Sequence, residues 1–281
     1  MNPIFILGST AVDVTTNLSR GRVTTSLGGK GSNQAIAAIR AGAEDVRLAT
    51  KIGVDAFGKF ALDFWESEGL STKLCAVSSE YPTGVSVVLL DENGDNRIIR
   101  CESASRRMTD EDFAKFAAGL PERGIFMTQL SSTVSVALKM IRLAKERGLT
   151  VILDPAPVTA VPEDIWRYVD IITPNEAESA ELGDVPVRNK LVTLGGKGVY
   201  VTDGVREEYI PAFKINVADT TGAGDAFNGA VAVALAEGAD LFGAAGRGNA
   251  AGALCASRKG AALAAPYRAE IESLLKKGDY K

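Results

Sequence analysis

Histidine is absent from the sequence. Its absence excludes Ser-His-Asp and Cys-His nucleophile pairs and every histidine-ligated metal site, so a general base must be a carboxylate, lysine, tyrosine or cysteine. Cysteine is scarce: Cys75, Cys101 and Cys255 are odd in number, far apart and without a CxxC pair, a pattern of reduced thiols rather than of a disulfide framework or zinc site. No apolar run approaches about eighteen residues, the length of a membrane-spanning helix. Lys and Arg are scattered and the net charge is −4, which gives neither a nucleic-acid footprint nor a polybasic membrane contact. The chain enters its first apolar segment at 4–7 without a basic leader, so the expected location is the cytosol and the expected partner a small molecule.

Apolar periodicity supplies the organisation. A short strand is expected over 3–8, a strand leading to a loop or small hairpin up to Gly31, a helix from Asn33 to its glycine stop at Gly42, a strand over 46–52 and a helix over 57–68. Residues 84–101 alternate about a turn at Asp91-Glu92-Asn93-Gly94 and predict a hairpin in a subsidiary sheet. From there the rhythm is regular: helices over 109–118, 133–147 and 162–167 alternate with strands over 124–130, 150–154 and 169–173, as parallel strands with helical crossovers require. Strands over 190–194, 199–202 and 207–213 and helices over 224–237, 240–257 and 267–276 complete the chain. Length alone does not choose between one large domain and two.

The stretch Asp219-Thr220-Thr221-Gly222-Ala223-Gly224-Asp225 reads as a glycine turn opening a helix. The free N–H groups of a first helical turn seat a phosphate or a developing anion, and Asp225 stands at the rim as a carboxylate. With histidine gone, Asp225 gains weight as a base for phosphoryl transfer, chemistry that asks a protein mainly to position groups and neutralise charge. A helix cap with Asp225 satisfying backbone donors fits the turn equally well. Gly28-Gly29-Lys30-Gly31-Ser32-Asn33-Gln34 precedes a helix and can hold a polyhydroxyl ligand through Lys30 and Asn33. It is not a Walker A loop, because Lys30, like Lys197, is followed by glycine. Nor does the 222–227 turn complete a dinucleotide fingerprint, since Phe227 takes the third glycine position. At Thr173-Pro174-Asn175-Glu176-Ala177-Glu178 a strand gives way to a helix. Asn175 and Glu178 there suit either a phosphate oxygen and a magnesium-bound water or a plain capping box.

Six blocks in order, GGKGSNQ at 28–34, DPAP at 154–157, IITPNEAE at 171–178, VTLGGKGV at 192–199, TTGAGDAFNG at 220–229 and SRKG at 257–260, resemble the ribokinase group of the PfkB sugar kinases over residues 4–266. The resemblance implies a single ribokinase-like α/β domain over 1–281, with a mostly parallel sheet flanked by helices and a small β lid formed by 9–27 and 82–103 that often makes a homodimer contact. It implies that Asp225 takes the proton from the sugar hydroxyl while N–H groups of Gly222, Ala223 and Gly224 stabilise the transferring phosphoryl group. Asp13, Gly29, Lys30 and Asn33 would contact the sugar. Asn175, the turn Thr193, Gly195, Gly196, Lys197 and Gly198, and Asn249 would hold ATP, with Glu178 acting on Mg2+ through water. A K+ site would draw on Asp219, Thr221 and the carbonyls of Cys255, Arg258 and Gly260.

The chain departs from the family pattern in several places. Ala264 stands where a serine normally adds an oxygen ligand for K+, Ala11 where an asparagine is usual, and Ser131 where a glutamate follows Thr128-Gln129-Leu130. About ten residues are missing between Asn17 and Gly28, and about twenty between Gly183 and Asn189 where a helix and loop are expected. The first loss shortens the lid, leaving the site less shielded from water or roomier. The expected activity is ATP-dependent phosphorylation of a pentose, D-ribose to ribose 5-phosphate. A related nucleoside or other sugar kinase, or a binding protein on the same fold that no longer catalyses, are the alternatives.

Overall fold

The computed structural model describes residues 1–17, 22–90 and 96–281. Strand β1 (Ile4–Leu7) lies within a nine-stranded sheet, with β4 (Val46–Gly53) and then β5 (Cys75–Ser78) on one side. On its other side follow β8 (Ile125–Gln129), β9 (Thr150–Asp154), β10 (Ile171–Ile172), β11 (Asn189–Thr193), β12 (Gly198–Thr202) and β13 (Glu207–Pro211). Every pairing from β5 to β11 is parallel, and β12 runs against both its neighbours.

A parallel sheet must be covered on both faces, so its strands are apolar throughout rather than alternating. In β1 all four residues are buried. Ile4 and Ile6 point into one core with Ile36, Trp65, Val231 and Ala250, and Phe5 and Leu7 into the other with Phe116, Val136 and Ile141. The first core brings in α1 (Lys30–Arg40), α2 (Ala56–Ser67), α6 (Ala223–Ala236) and α7 (Leu241–Ala256), and the second α3 (Asp110–Gly119) and α4 (Val134–Glu146). The Ala- and Gly-rich stretches are what close helix packing needs: a β-carbon on Gly229 would stand 2.6 Å from that of Ala37 in α1.

A separate four-stranded sheet, ordered β3 (Arg22–Gly28), β2 (Ala11–Asn17), β6 (Gly84–Leu90), β7 (Asn96–Arg100), fits the expected lid, and β6 and β7 form the expected hairpin. The turn expected at 91–94 lies outside the described residues.

Three expectations need correction. The helix expected over 162–167 is a 3-10 helix, Glu163–Tyr168, and the strand after it shrinks to Ile171–Ile172. The helix expected from Asn33 begins at Lys30, because Gly29 adopts φ 87, where side chains are disfavoured, and turns the chain into the helix one turn earlier. Strand β5 was not expected at all; its four residues, Cys75–Ser78, are too few to show a period.

Residues 183–188 link helix α5 (Glu176–Leu182) to β11 and help line a groove. This open groove of about 860 Å³ lies over β11 to β13, lined also by Val192, Leu194, Tyr200 and Tyr209. None of the polar residues described next lines it.

Candidate active site

Parallel strands deliver their carboxyl ends to one edge of a sheet, and ligand sites of open α/β folds form there. Gln129 and Asp154 are register partners at the ends of β8 and β9, and Ser9 follows the end of β1. Helix α1 enters this edge by backbone contact: β-carbons on Gly8 or Gly31 would lie 2.6 Å from the other's backbone, so only glycine fits at either place.

That close approach sets Lys30, Asn33 and Gln34 against Asp225, the third residue of α6 and 6% exposed. Asn33 Nδ2 donates to Asp225 Oδ2 at 2.9 Å and Gln34 Nε2 to Oδ1 at 3.1 Å. Gln34 Nε2 also donates to Asp154 Oδ2 at 2.9 Å, and Gln129 Nε2 donates to Gln34 Oε1 at 2.5 Å. The Lys30 ammonium lies 3.2 Å from Asp154 and 3.8 Å from Asp225. Burial pushes the Asp154 carboxyl up to about 6, although Lys30 pulls it back. Burial works against the Lys30 charge, yet Asp154 and Asp225 outweigh it and hold the ammonium above its ordinary range.

Gly222 caps α6 with φ 80, the left-handed geometry that frees the first amides to face outward. Ala223 N–H donates to the Thr220 carbonyl at 3.2 Å, whereas those of Gly222, Gly224 and Asp225 have no partner among the described residues. A β-carbon on Gly224 would meet nothing within 4 Å, so there is open space beside that residue, while one on Gly222 would fall 2.8 Å from Ala261. An anionic phosphoryl group fits that opening by charge and by donor supply.

The segments expected at the nucleotide side occupy the ends of β10 and β11. Asn175 and Glu178 form the capping box: Glu178 N–H donates to Asn175 Oδ1 and Asn175 N–H to Glu178 Oε2, both at 2.9 Å. Glu178 Oε1 carries no hydrogen bond among the described residues, which leaves an oxygen to offer a hard cation's water. Gly195–Lys197 form a 3-10 turn whose Lys197 pairs with Glu176 at 3.3 Å. Asn249 is 8% exposed and donates to the Pro211 carbonyl at 2.8 Å, tying α7 to β13.

Some of the donors expected for K+ are engaged in hydrogen bonds. Asp219 Oδ1 accepts from the amide and hydroxyl of Thr221 at 2.9 and 2.7 Å and its Oδ2 from Gly260 N–H at 3.3 Å. The Cys255 carbonyl accepts Arg258 N–H at 3.0 Å, and Ala264 packs its methyl group on Ala226 and Cys255. Burial pushes the Cys255 thiol up to about 12.

Of the residues expected at the sugar, Lys30, Asn33 and Asp225 meet directly. Asp13, on β2 of the small sheet, faces Gly28, where a β-carbon would fall 2.3 Å from its carboxylate. Gln34, Gln129 and Asp154 carry much of the network and had no assigned role. The available signals were the amides set among apolar neighbours and an aspartate at the end of a buried strand.

The model of the pfkB family of carbohydrate kinases matches residues 1–268. The ribokinase of Staphylococcus aureus strain COL is 31% identical over 303 residues, covering 97% of this chain and 99% of its own. The crystal structure of a ribokinase from Thermotoga maritima is 30% identical with a TM-score of 0.86, covering 98% of this chain and 100% of that one. The Arabidopsis thaliana ribokinase complexed with ribose and ATP is 27% identical with a TM-score of 0.88, covering 98% and 99%.

Proposed function

The chain belongs to the pfkB family of carbohydrate kinases, and from that premise we propose that it transfers the γ-phosphoryl group of ATP to a hydroxymethyl group of a pentose, converting D-ribose to D-ribose 5-phosphate. The observation that carries this reading is the buried Asp225 carboxylate beside the unpartnered amides of Gly222 and Gly224. A sugar hydroxyl against Asp225 loses its proton to that carboxylate as its oxygen bonds to phosphorus, and the amides offset the charge gathering on the phosphoryl oxygens. Asp13, Gly29, Lys30 and Asn33 orient the sugar, while Asn175, the 193–198 turn and Asn249 hold the nucleotide. Binding through the side chains of Asn175 and Asn249 requires them to leave or share the hydrogen bonds they make here.

Mg2+ accompanies ATP in this reading and neutralises its phosphates, with Glu178 Oε1 holding a coordinated water. Monovalent-cation activation is weak or lost, because Ala264 brings no oxygen and the Asp219 carboxylate is engaged by Thr221 and Gly260. The small sheet serves as the lid, and a homodimer through it is supported by apolar side chains left in solvent there, Val23 at 64% and Ile99 at 55% exposure. A cytosolic location fits three free cysteines, Cys75, Cys101 and Cys255.

A nucleoside or a different sugar is the second reading. It is favoured by Ala11, which offers no polar group, and by Ser131, whose hydroxyl is bonded to that of Ser9 at 2.8 Å. ADP release over a panel of sugars and nucleosides tests all readings. The largest kcat/KM on D-ribose supports the proposal, a larger one on a nucleoside supports the second, and no turnover on any substrate leaves a binding protein.

A further inference from the structure

Two buried carboxylates, Asp154 and Asp225, share one ammonium and one amide. Gln34 Nε2 gives a hydrogen to each, at 2.9 and 3.1 Å, so it does not distinguish them. Lys30 does: its Nζ is within hydrogen-bond distance of Asp154 at 3.2 Å and outside it for Asp225 at 3.8 Å. Asp225 is therefore left with two neutral donors at contact, the amides of Asn33 and Gln34.

We infer that Asp154 is a positioning residue that holds the Lys30 charge on its own side of the cluster, so that Asp225 keeps the proton affinity a base requires. A carboxylate paired directly with an ammonium is stabilised in its charged form and accepts a proton less readily. Lys30, with its side chain 35% exposed, stands beside both carboxylates, and Asp154 is the one that engages its charge at hydrogen-bond distance. The charged groups facing Asp154 are Lys30 from α1, Asp225 from α6 and Glu178 from α5. Two of these are acidic, so Lys30 is the counter-charge that lets this strand end carry a carboxylate at all. The inference rests on the kinase reading, in which Asp225 is the base.

Asp154→Asn tests it, because the new side-chain oxygen still accepts from Gln34 and the shape is kept. With its partner charge gone, Lys30 turns to Asp225, and the acid limb of the kcat profile moves about one pH unit down, a tenfold change in proton affinity. KM for ATP changes little. In a Lys30→Met background the same substitution moves the limb by less, because only the direct repulsion between the two carboxylates is then removed. An unmoved limb in Asp154→Asn, or an equal shift with and without Lys30, overturns the inference.

A second measurement needs neither turnover nor a variant at 154. The carboxyl carbons of Asp154 and Asp225, followed by NMR titration in wild type and Lys30→Met, report which of them loses its counter-charge. A larger upward shift at Asp154 supports the inference and a larger one at Asp225 overturns it. Absence of turnover in the wild-type protein counts against the kinase reading instead, which keeps the two failures apart.

Discussion

Asn33 Nδ2 donates to Asp225 Oδ2 while the Asn33 Oδ1 on the other side of the same amide is buried without a partner among the described residues. The pairing joins the second turn of α1 to the first turn of α6. It also leaves the amide able to rotate half a turn and present its oxygen.

That freedom makes Asp225→Asn an informative variant. The new amide brings an N–H to where Asn33 now donates, and the Asn33 flip restores the bond, so the melting temperature changes little. Turnover falls by on the order of 10² or more, the usual loss for a general base. ADP release and calorimetric ATP titration check this: ATP binding persists, and wild-type-like turnover would remove Asp225 from the mechanism.

Arg40 is a stability prediction. Its guanidinium pairs with Glu68, the C-cap of α2, at 2.5 Å, with the two side chains 7% and 14% exposed. Its Nη1 also donates to the carbonyls of Ala262, Leu263 and Ala265 at 3.2, 2.9 and 3.0 Å. Arg40→Met leaves one partly buried carboxylate and three carbonyls without this donor and costs about 3 kcal/mol, read by urea unfolding. A cost under about 1 kcal/mol, the range of exposed pairs, would contradict the assignment.

Asp219 gives a pH prediction. Burial pushes its carboxyl up, but the Thr221 hydroxyl and amide and the Gly260 amide outweigh that and hold it below the ordinary range. A group whose folded pKa is depressed contributes stability fully above its unfolded value, about 3.9, and loses it as pH falls through the folded one. Asp219→Asn is therefore less stable than wild type at pH 7, and the gap closes in strong acid. Thermal melts of both proteins from pH 7 to pH 2.5 record it; a gap independent of pH would show that the ionised form has no special role.

Ala264→Ser tests the monovalent site. The hydroxyl enters an apolar contact with Ala226 and Cys255 and costs about 1–3 kcal/mol if it finds no partner. Added K+ supplies one, so the melting temperature of the variant rises with K+ while that of the wild type does not. Equal responses in the two proteins would show that residue 264 does not govern cation binding.

The alternation of elements was legible because most helices carry an apolar period and the strands between them are short apolar runs, whereas β5, with four residues, was too short to show. The glycine turn before α6 was legible for the same local reason. The polar network was not, because Gln34, Gln129 and Asp154 meet only once the order β1, β8, β9 is fixed, and the hydrogen bond from Gln34 to Asp154 spans 120 positions. At Asn175 and Glu178 the sequence offered a cap and a ligand site with the same spacing, and the cap has formed. Asn249 shows the converse: its type suits a ligand, but its amide is engaged in joining α7 to β13.

Gly8 and Gly31 meet with no side chain between them, so α1 is seated on the end of β1 as one rigid piece. Lys30, Asn33 and Gln34 travel with that piece, and so does the aim of the carboxylate they hold. In the proposed reaction an incoming alcohol would meet a proton acceptor already oriented, and the adjustments of a catalytic cycle would fall to the small sheet that carries Asp13.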